Sequence, residues 1–253
     1  MANKQYGLKE VANVTFLDVT TGKPALFFDT LKVSTIENTS ESAEARGGQG
    51  NAKLMSWDFG RSATLTMQDA LLSDATLSAL SGNAVKSSGV TVNIREVLEV
   101  KTGGKVTPTK TPKGKIYFYK SGDLSGELTS TAPTSPATEY TITGSGASGV
   151  TVGESVVAYY ETVTSANQAS VVTFSANAFP ATYKVVGDTI VRGTDGVDRK
   201  MQFIIPKAKL QSGFSLSMEA ENVSTFDFTL DILVDTDTAD RKLYDIVRYE
   251  AGI

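Results

Sequence analysis

An alternation of side chains near the C-terminus most constrains what this chain can fold into. Apolar residues occupy every second position from 226 to 234, with mostly acidic or hydroxyl residues between them. A repeat of two is that of a β-strand with one face on a core. Segment 213–220 has the same repeat, and 220–225 has the length of a connecting hairpin loop. The apolar set is Phe226, Phe228, Leu230, Ile232 and Val234, and the opposite set is Asp227, Thr229, Asp231, Leu233 and Asp235.

Short strand-like stretches and turn residues fill most of the remaining sequence. Many short strands with regular turns predict a mainly β protein, as a β-sandwich or barrel. One short helix is predicted over about 68–81, because an apolar stripe ends there at Ser81-Gly82. The predicted strands are 11–19, 25–33, 54–59, 62–67, 90–100, 115–119, 140–143, 155–162, 170–174, 181–191, 199–205, 213–220 and 226–234.

A polar, Gly-rich run separates two good strands and predicts a long β-hairpin loop over about 37–53. Loops of this length are uncommon in compact domains and are often functional. We therefore expect it to contact another molecule, most simply a second copy of the chain, within one assembly or between two assemblies. Trp57, just beyond the loop, is interpreted as a core aromatic, with an interface role as the alternative. The candidate contact residues are Glu37, Glu41, Glu44, Arg46, Gly47, Gly48, Gln49, Asn51 and Lys53.

The middle of the chain, about 101–165, is richer in Ser, Thr, Gly and Pro than the rest. Apolar stretches at 116–119 and 156–160 favour a β-rich elaboration or a small inserted domain, and a disordered linker is the alternative. The predicted core β-domain is then formed by 1–100 together with 166–253.

Composition removes most enzymatic chemistry. The chain has no cysteine and no histidine, which excludes thiolate nucleophiles, zinc-thiolate sites and Ser-His-Asp triads. A net charge of −4 argues against wrapping nucleic acid. No apolar run reaches the roughly 18–20 residues of a membrane span. The first residues lack the apolar core of a secretory signal, so we expect a protein made and kept in a cytoplasm.

Three remaining motifs have simpler interpretations than catalysis or ligand binding. Arg46–Asn51 resembles a phosphate-binding loop, but a strand follows it where a helix is required. Asp235–Asp240 has carboxylates for a cation but lacks the glycine and closing Glu of an EF-hand, which favours a solvated turn. Asp227 and Asp231 lie on one strand without an aromatic platform for a sugar. We therefore predict no catalytic, cofactor or metal residues, and no enzyme.

The order of elements resembles that of bacteriophage major tail tube proteins. The resemblance rests on a strand, the polar run, a second strand, the Arg61–Asp74 transition into a helix and the closing acidic hairpin. It is clearest over 28–82 and 171–236, while 101–165 departs from the smallest members. Tubes of contractile injection systems look similar.

The resemblance implies a structural subunit of a virion tail, assembled in the host bacterial cytoplasm. It implies stacked hexameric rings whose sheets join into one β-barrel around an acidic channel, which holds the tape-measure protein and conducts double-stranded DNA without specific binding. It further implies contacts with baseplate or tail-tip proteins, with a tail-terminator protein and, in contractile tails, with a sheath. No cofactor or membrane anchor is implied. The lumen-facing candidates are Glu219, Asp227, Thr229 and Asp231.

Two other functions remain open at this point. A β-sandwich adhesin or virion decoration protein that binds a surface ligand would explain the strands, and it predicts an aromatic-lined patch. The acidic face of the 226–234 strand has a simpler interpretation than a channel wall, namely an ordinary solvated surface. A carboxylate enzyme would need two acids across a cleft, and the sequence places none.

Overall fold

The structure is a computed structural model that describes residues 5–131, 139–143, 150–216 and 225–250. These residues are mainly β with one short helix, which confirms the predicted fold class. The strands are β1 Tyr6–Leu8, β2 Asn13–Asp18, β3 Pro24–Phe28, β4 Leu31–Gly47, β5 Ala52–Asp69, β6 Thr91–Glu99, β7 Lys105–Val106, β8 Ile116–Lys120, β9 Glu127–Leu128, β10 Ser130–Thr131, β11 Tyr140–Ile142, β12 Ser155–Val163, β13 Thr182–Gly193, β14 Asp198–Leu210, β15 Phe226–Ile232 and β16 Asp245–Tyr249, and the helix is α1 Asp74–Ser81.

The chain divides into two compact units. The first consists of Met1–Val85 and Val172–Ile253, and the second of Lys86–Val171. The second unit includes the whole of the 101–165 segment and also β6.

One antiparallel sheet forms the first unit, in the order β3-β2-β13-β14-β15-β5-β4. β1 pairs with β13, and β16 pairs with β14. The core lies on one face of this sheet and includes Phe16, Leu65, Met67, Ile205 and Leu230. The alternation in β15 is confirmed, because Phe226, Phe228, Leu230 and Ile232 are buried there while the residues between them face away from the core.

β4 and β5 form a hairpin much longer than predicted, and the predicted 37–53 loop is wrong in its extent. Residues 37–47 continue β4, and the connecting turn spans only 48–51. Gly48, Gly50 and Asn51 take positive φ values of 81°, 85° and 51°, which lets so short a turn reverse the chain. Glu, Ser and Asn are poor strand residues, so the polar composition hid a strand that pairing with β5 stabilises.

A β-bulge divides this hairpin. The pairing shifts between Thr39↔Ser62 and Glu41↔Phe59, so β5 contributes one more residue than β4. Gly60 lies in the bulge with φ of 60°. Bulges of this kind bend the bulged strand and increase its local twist.

Helix α1 is shorter than the predicted 68–81. Gln68 and Asp69 still belong to β5, where they pair with β4 and β15. The helix begins after Ser73, whose side chain accepts a hydrogen bond from the Thr76 N–H at 3.1 Å. It ends at Gly82, whose φ is 69° and whose N–H donates to Ser78 O.

Two other predicted strands differ from the structure. Segment 170–174 forms only an isolated bridge between Val171 and Lys86, and Ser215 bridges to Asp227. Residues 217–220 of the predicted 213–220 strand lie outside the described residues.

The second unit contains two small antiparallel sheets, β6-β12-β8-β9 and β10-β11-β7. Its core includes Phe118, Val156 and Ala158. Tyr160 is buried and donates to Glu96 at 2.8 Å, while the Lys110 N–H donates to the Tyr160 hydroxyl at 3.2 Å. Burial, with the hydrogen bond to Glu96, raises the pKa of Tyr160. These bonds hold the segment before β8 against the sheet.

Candidate functional site

The face of the large sheet opposite the core is polar over β4, β5 and β15. Asp227, Thr229 and Asp231 all lie on this face, as predicted from their alternation. Thr66 and Thr229 bring their hydroxyls to 3.3 Å, and Gln211 donates to Asp231 at 2.8 Å. The cross-strand rows are Val33–Gln68–Asp227, Thr35–Thr66–Thr229 and Glu37–Thr64–Asp231. Glu219, the fourth lumen candidate, lies outside the described residues.

Charge on this face is divided between strands. Three carboxylates, from Glu37, Asp227 and Asp231, lie over β4 and β15. Lys209 is the register partner of Asp231 on β14, and Lys184 lies on the same face of β13. The face is therefore acidic and hydroxyl-rich on one side and carries cations on the other.

Beyond the bulge, β4 and β5 leave the core and continue as a two-stranded ribbon, which we call the hairpin arm (residues 41–59). Large apolar side chains form a row along one face of the arm. Met55, Trp57 and Phe59 are 57%, 53% and 52% exposed. Their cross-strand partners are Ala45, Ala43 and Glu41. The prediction that Trp57 is a core aromatic is wrong, because no other described element covers it.

The other face of the arm is held by ion pairs. Glu44 lies 2.6 Å from both Lys53 and Arg46. Lys53, and then Arg46, lower the pKa of Glu44. These groups are exposed to solvent, so their contribution to stability is small. Their effect is to fix the ribbon geometry near the turn.

The structure separates the predicted loop residues into two places. Glu37, Glu41, Glu44, Arg46 and Gly47 lie on β4, and Lys53 lies on β5. Gly48, Gln49 and Asn51 lie in the turn. Sequence reasoning missed the apolar row at 55, 57 and 59, although its period of two was readable. The same period in Ala63, Leu65 and Met67 marks core residues, and nothing local distinguishes the two sets.

An isolated two-stranded ribbon is marginally stable in water. A row of exposed Trp, Phe and Met side chains has the composition of a protein–protein contact. The arm is therefore a candidate association surface.

The first unit also contains an apolar groove of about 420 Å³. Leu8, Val33 and Ile246 line it and are exposed, and Met201 and Phe203 form part of its wall. Glu10 and Lys32 add charge to its lining. The groove contains none of the arm's residues, so the two surfaces are distinct and both are available in one copy.

The acidic motifs are occupied by protein contacts. Lys207 lies 3.5 Å from Asp235 and 2.9 Å from Asp237. Across the described parts of the chain, no group of three Asp or Glu residues is arranged to hold a metal ion. No helix within the described ranges is long and apolar enough to cross a membrane. Arg46–Asn51 closes a hairpin between two strands, which differs from the strand-to-helix setting of a phosphate loop.

Comparison with known proteins identifies the family of the chain. A search of curated proteins found no match to the chain. The model of the YomU/Tube protein family matches residues 6–246. The match includes both segments, 28–82 and 171–236, on which the resemblance to phage tail tube proteins rests. The polar sheet, the hairpin arm and the inserted second unit thus all lie within the matched range, and the chain belongs to the YomU/Tube protein family.

Proposed function

We propose that the chain is the structural subunit of a phage tail tube and forms hexameric rings that stack around a channel. The observation that carries the proposal is the exposed row of Met55, Trp57 and Phe59 on an arm that no described element of its own chain covers. Burial of such side chains by another copy would remove a large apolar surface from water.

The apolar groove of the first unit is the surface that we assign to the arm of a neighbouring copy. The arm and the groove are different surfaces, so their contact is heterologous, and heterologous contacts generate rings or open filaments. The nine residues of β4 from 39 to 47 extend about 30 Å at the usual strand rise of about 3.3 Å per residue, which is enough to reach an adjacent subunit.

The polar face of the large sheet is the surface that we assign to the channel. Asp227, Thr229 and Asp231 would recur in every subunit, with Glu37 beside them, as bands of carboxylate and hydroxyl groups. The field of these carboxylates, focused in a narrow bore, would weaken adhesion of DNA to their part of the face, while Lys184 and Lys209 lie on the other part. The sheet ends on β3 and β4 over the described residues, so neighbouring sheets could continue through these edges.

The remaining partners follow from family resemblance. They are the tape-measure protein inside the channel, tail-tip or baseplate and tail-terminator proteins at the ends, and a sheath in a contractile tail. Assembly would take place in the host bacterial cytoplasm, with the product a component of the virion tail. A tube subunit needs no catalytic group, which agrees with the absence of histidine and cysteine from the sequence.

Electron microscopy of the purified full-length chain tests the proposal. We expect rings and hollow tubes that lengthen with protein concentration. The double variant Trp57→Ser with Phe59→Ser should remain monomeric while keeping its β circular-dichroism spectrum. Leu71→Ser, which changes another exposed apolar side chain of the first unit, is the matched control and should still assemble. A wild-type chain that stays monomeric at all concentrations, with tail-tip proteins supplied, would contradict the proposal.

A further inference from the structure

The second unit presents an aromatic and cationic face that the tube function does not use. It is the outer face of the sheet formed by β6, β12 and β8. Alternation in β12 sends Val156, Ala158 and Tyr160 into the core and leaves Tyr159 and Glu161 outside. The cross-strand row at its centre is Arg95–Tyr159–Tyr117.

Tyr159 is held in place from both sides. Its ring lies 5.9 Å from the Tyr119 ring, edge to face, and the Arg95 guanidinium lies 5.9 Å above it. The Arg95 Nε–H also donates to the Tyr159 hydroxyl at 3.2 Å. Tyr117, its register partner, is 40% exposed. The face is thus organised before any ligand arrives, which reduces the entropic cost of binding.

A cavity of about 360 Å³ lies beside these two tyrosines. Polar groups from β6, β12 and the segment before β8 surround it: Asn93, Glu161, Lys113 and Lys115. The Lys113 N–H donates to the Glu161 carbonyl at 2.6 Å, and Lys113 Nζ donates to Thr91 at 3.2 Å. These bonds fix the lysine-bearing segment at the edge of the cavity.

We propose that this face binds a sugar ring that carries an anionic group, either a carboxylate or a phosphate. Aromatic faces carry negative charge density and accept the C–H face of a sugar ring, as they accept other positively polarised groups. Asn93 and Glu161 can hydrogen-bond ring hydroxyls. Of the charged residues that line the cavity, Lys113 and Lys115 outnumber Glu161, which favours an anionic over a neutral sugar. The volume fits a small ligand in a preformed site.

Calorimetric titration of the full-length chain tests the proposal with four probes: trigalacturonate, neutral galactotriose, glucose 6-phosphate and inorganic phosphate. We expect an acidic sugar to bind at least about tenfold more tightly than the neutral trisaccharide, which is the effect of one well-placed charge pair. Preference for trigalacturonate identifies a carboxylate ligand, and preference for glucose 6-phosphate identifies a phosphorylated one. Both results support the site.

Tyr117→Ala should weaken binding of the preferred sugar at least about tenfold, as removal of a central aromatic contact does. Tyr117→Phe should retain most of the affinity. Tyr6→Ala, which removes an exposed tyrosine of the first unit, is the matched control and should bind normally. Lys113→Met with Lys115→Met should abolish the preference for acidic sugars, whereas Lys101→Met should have no effect.

Three results would overturn the proposal. Inorganic phosphate that binds as tightly as either acidic sugar would indicate a plain anion site. Equal affinity of the wild type and Tyr117→Ala for the sugar would show that Tyr117 does not contribute to binding. Absence of a binding heat with every sugar at concentrations up to about 10 mM would show that the face has no sugar site of useful affinity. Tube formation is scored separately by microscopy, so failure of either proposal leaves the other standing.

Discussion

Trp57 lies directly opposite Ala43 in the register of the hairpin arm. Cross-strand partners of this kind have Cβ atoms about 5 Å apart, so the small methyl of Ala43 leaves one flank of the indole open. The arm therefore displays Trp57 outward and does not bury it against its own partner strand. This arrangement makes position 43 a sensitive place to disturb association without touching the core.

Ala43→Lys should prevent tube formation, because a charge in the apolar row would need to be desolvated on docking. The exposed site should leave stability within about 0.5 kcal/mol of wild type. Sedimentation velocity gives the assembly state, and denaturant unfolding gives the stability. Ser42→Lys, on the opposite face of the same strand, is the control and should still assemble. Assembly by Ala43→Lys would exclude the row as an interface.

Trp57 is the single tryptophan of the chain, so its fluorescence reports directly on the arm. We expect red-shifted emission from the monomer and a blue shift as concentration rises, since docking would remove water from the indole. Acrylamide quenching should fall in parallel. Constant emission in tubes seen by microscopy would place the arm outside the contact.

The two faces of β15 should differ sharply in their sensitivity to truncation. Leu230 is fully buried, so Leu230→Ala should lower the free energy of unfolding by about 2–5 kcal/mol. Thr229→Ala, on the polar face, should change it by less than about 0.5 kcal/mol. Urea unfolding followed by circular dichroism measures both. Similar losses in the two variants would mean that the polar face is also packed.

Gly82 and Gly22 form a matched pair for separating backbone strain from collision. Both have φ of 69°, but only at Gly82 would a Cβ collide with the Phe179 backbone. Gly22→Ala should cost about 1 kcal/mol from the left-handed conformation alone. Gly82→Ala should cost clearly more and lower the melting temperature further, as differential scanning calorimetry can show. Equal costs would mean that the end of α1 relaxes freely.

Glu44 should titrate below the ordinary glutamate value of 4.5, because Lys53 and Arg46 stabilise its ionised form. A lowered pKa in the folded state means that the ion pairs stabilise the arm above the unfolded-state pKa and are lost as pH falls through the folded one. NMR titration of the Glu44 carboxyl carbon measures the midpoint. Lys53→Met should raise it more than Arg46→Met does, and an unchanged midpoint in both would contradict this assignment.

Charge reversal on the polar sheet face tests its role in the channel. Phage carrying Asp227→Lys with Asp231→Lys should assemble tails but eject DNA more slowly, because cations would hold the phosphates. Glu99→Lys with Glu139→Lys makes the same change of charge in the second unit and should eject normally. Normal ejection by both variants would place Asp227 and Asp231 away from the path of the DNA.

The sequence predicted structure best where side chains report on a core. The alternation in β15 survives because Phe226 and Phe228 bury against the same core as Phe28 and Phe16. The predicted helix begins too early, because the types of Gln68 and Asp69 do not distinguish strand from helix. Pairing of these two residues with β15, which is distant in sequence, keeps them in β5. The alternation in β15 predicts its polar face. The position of Lys209 beside Asp231 cannot be predicted in this way, because it depends on the order of strands in the sheet, which no local pattern encodes.

The hairpin arm was the largest error, and its cause is physical. Propensity reads Glu41-Ser-Ala-Glu44 as loop, while the strand there exists through backbone pairing with residues that follow a turn. The sequence predicts a core position for Trp57 because large aromatics are usually buried within one chain. A chain that completes its fold in an assembly violates that expectation at its contact surfaces.

The extra residue at the Gly60 bulge decides which face of the hairpin arm carries the aromatic row. In β5, odd-numbered side chains point into the core at 63, 65 and 67, and without the bulge those at 55, 57 and 59 would share that side. One added residue inverts the parity, so Trp57 sits on the side of the ribbon that continues from Thr35 and Glu37. The odd-numbered residues of β5 therefore lie in the core in one half of the strand and on the opposite, exposed face in the other half. Inserting one residue after Ser40 would give the extra residue of β5 a partner, remove the bulge and turn the aromatic row toward the opposite side of the ribbon without changing the sequence of the row.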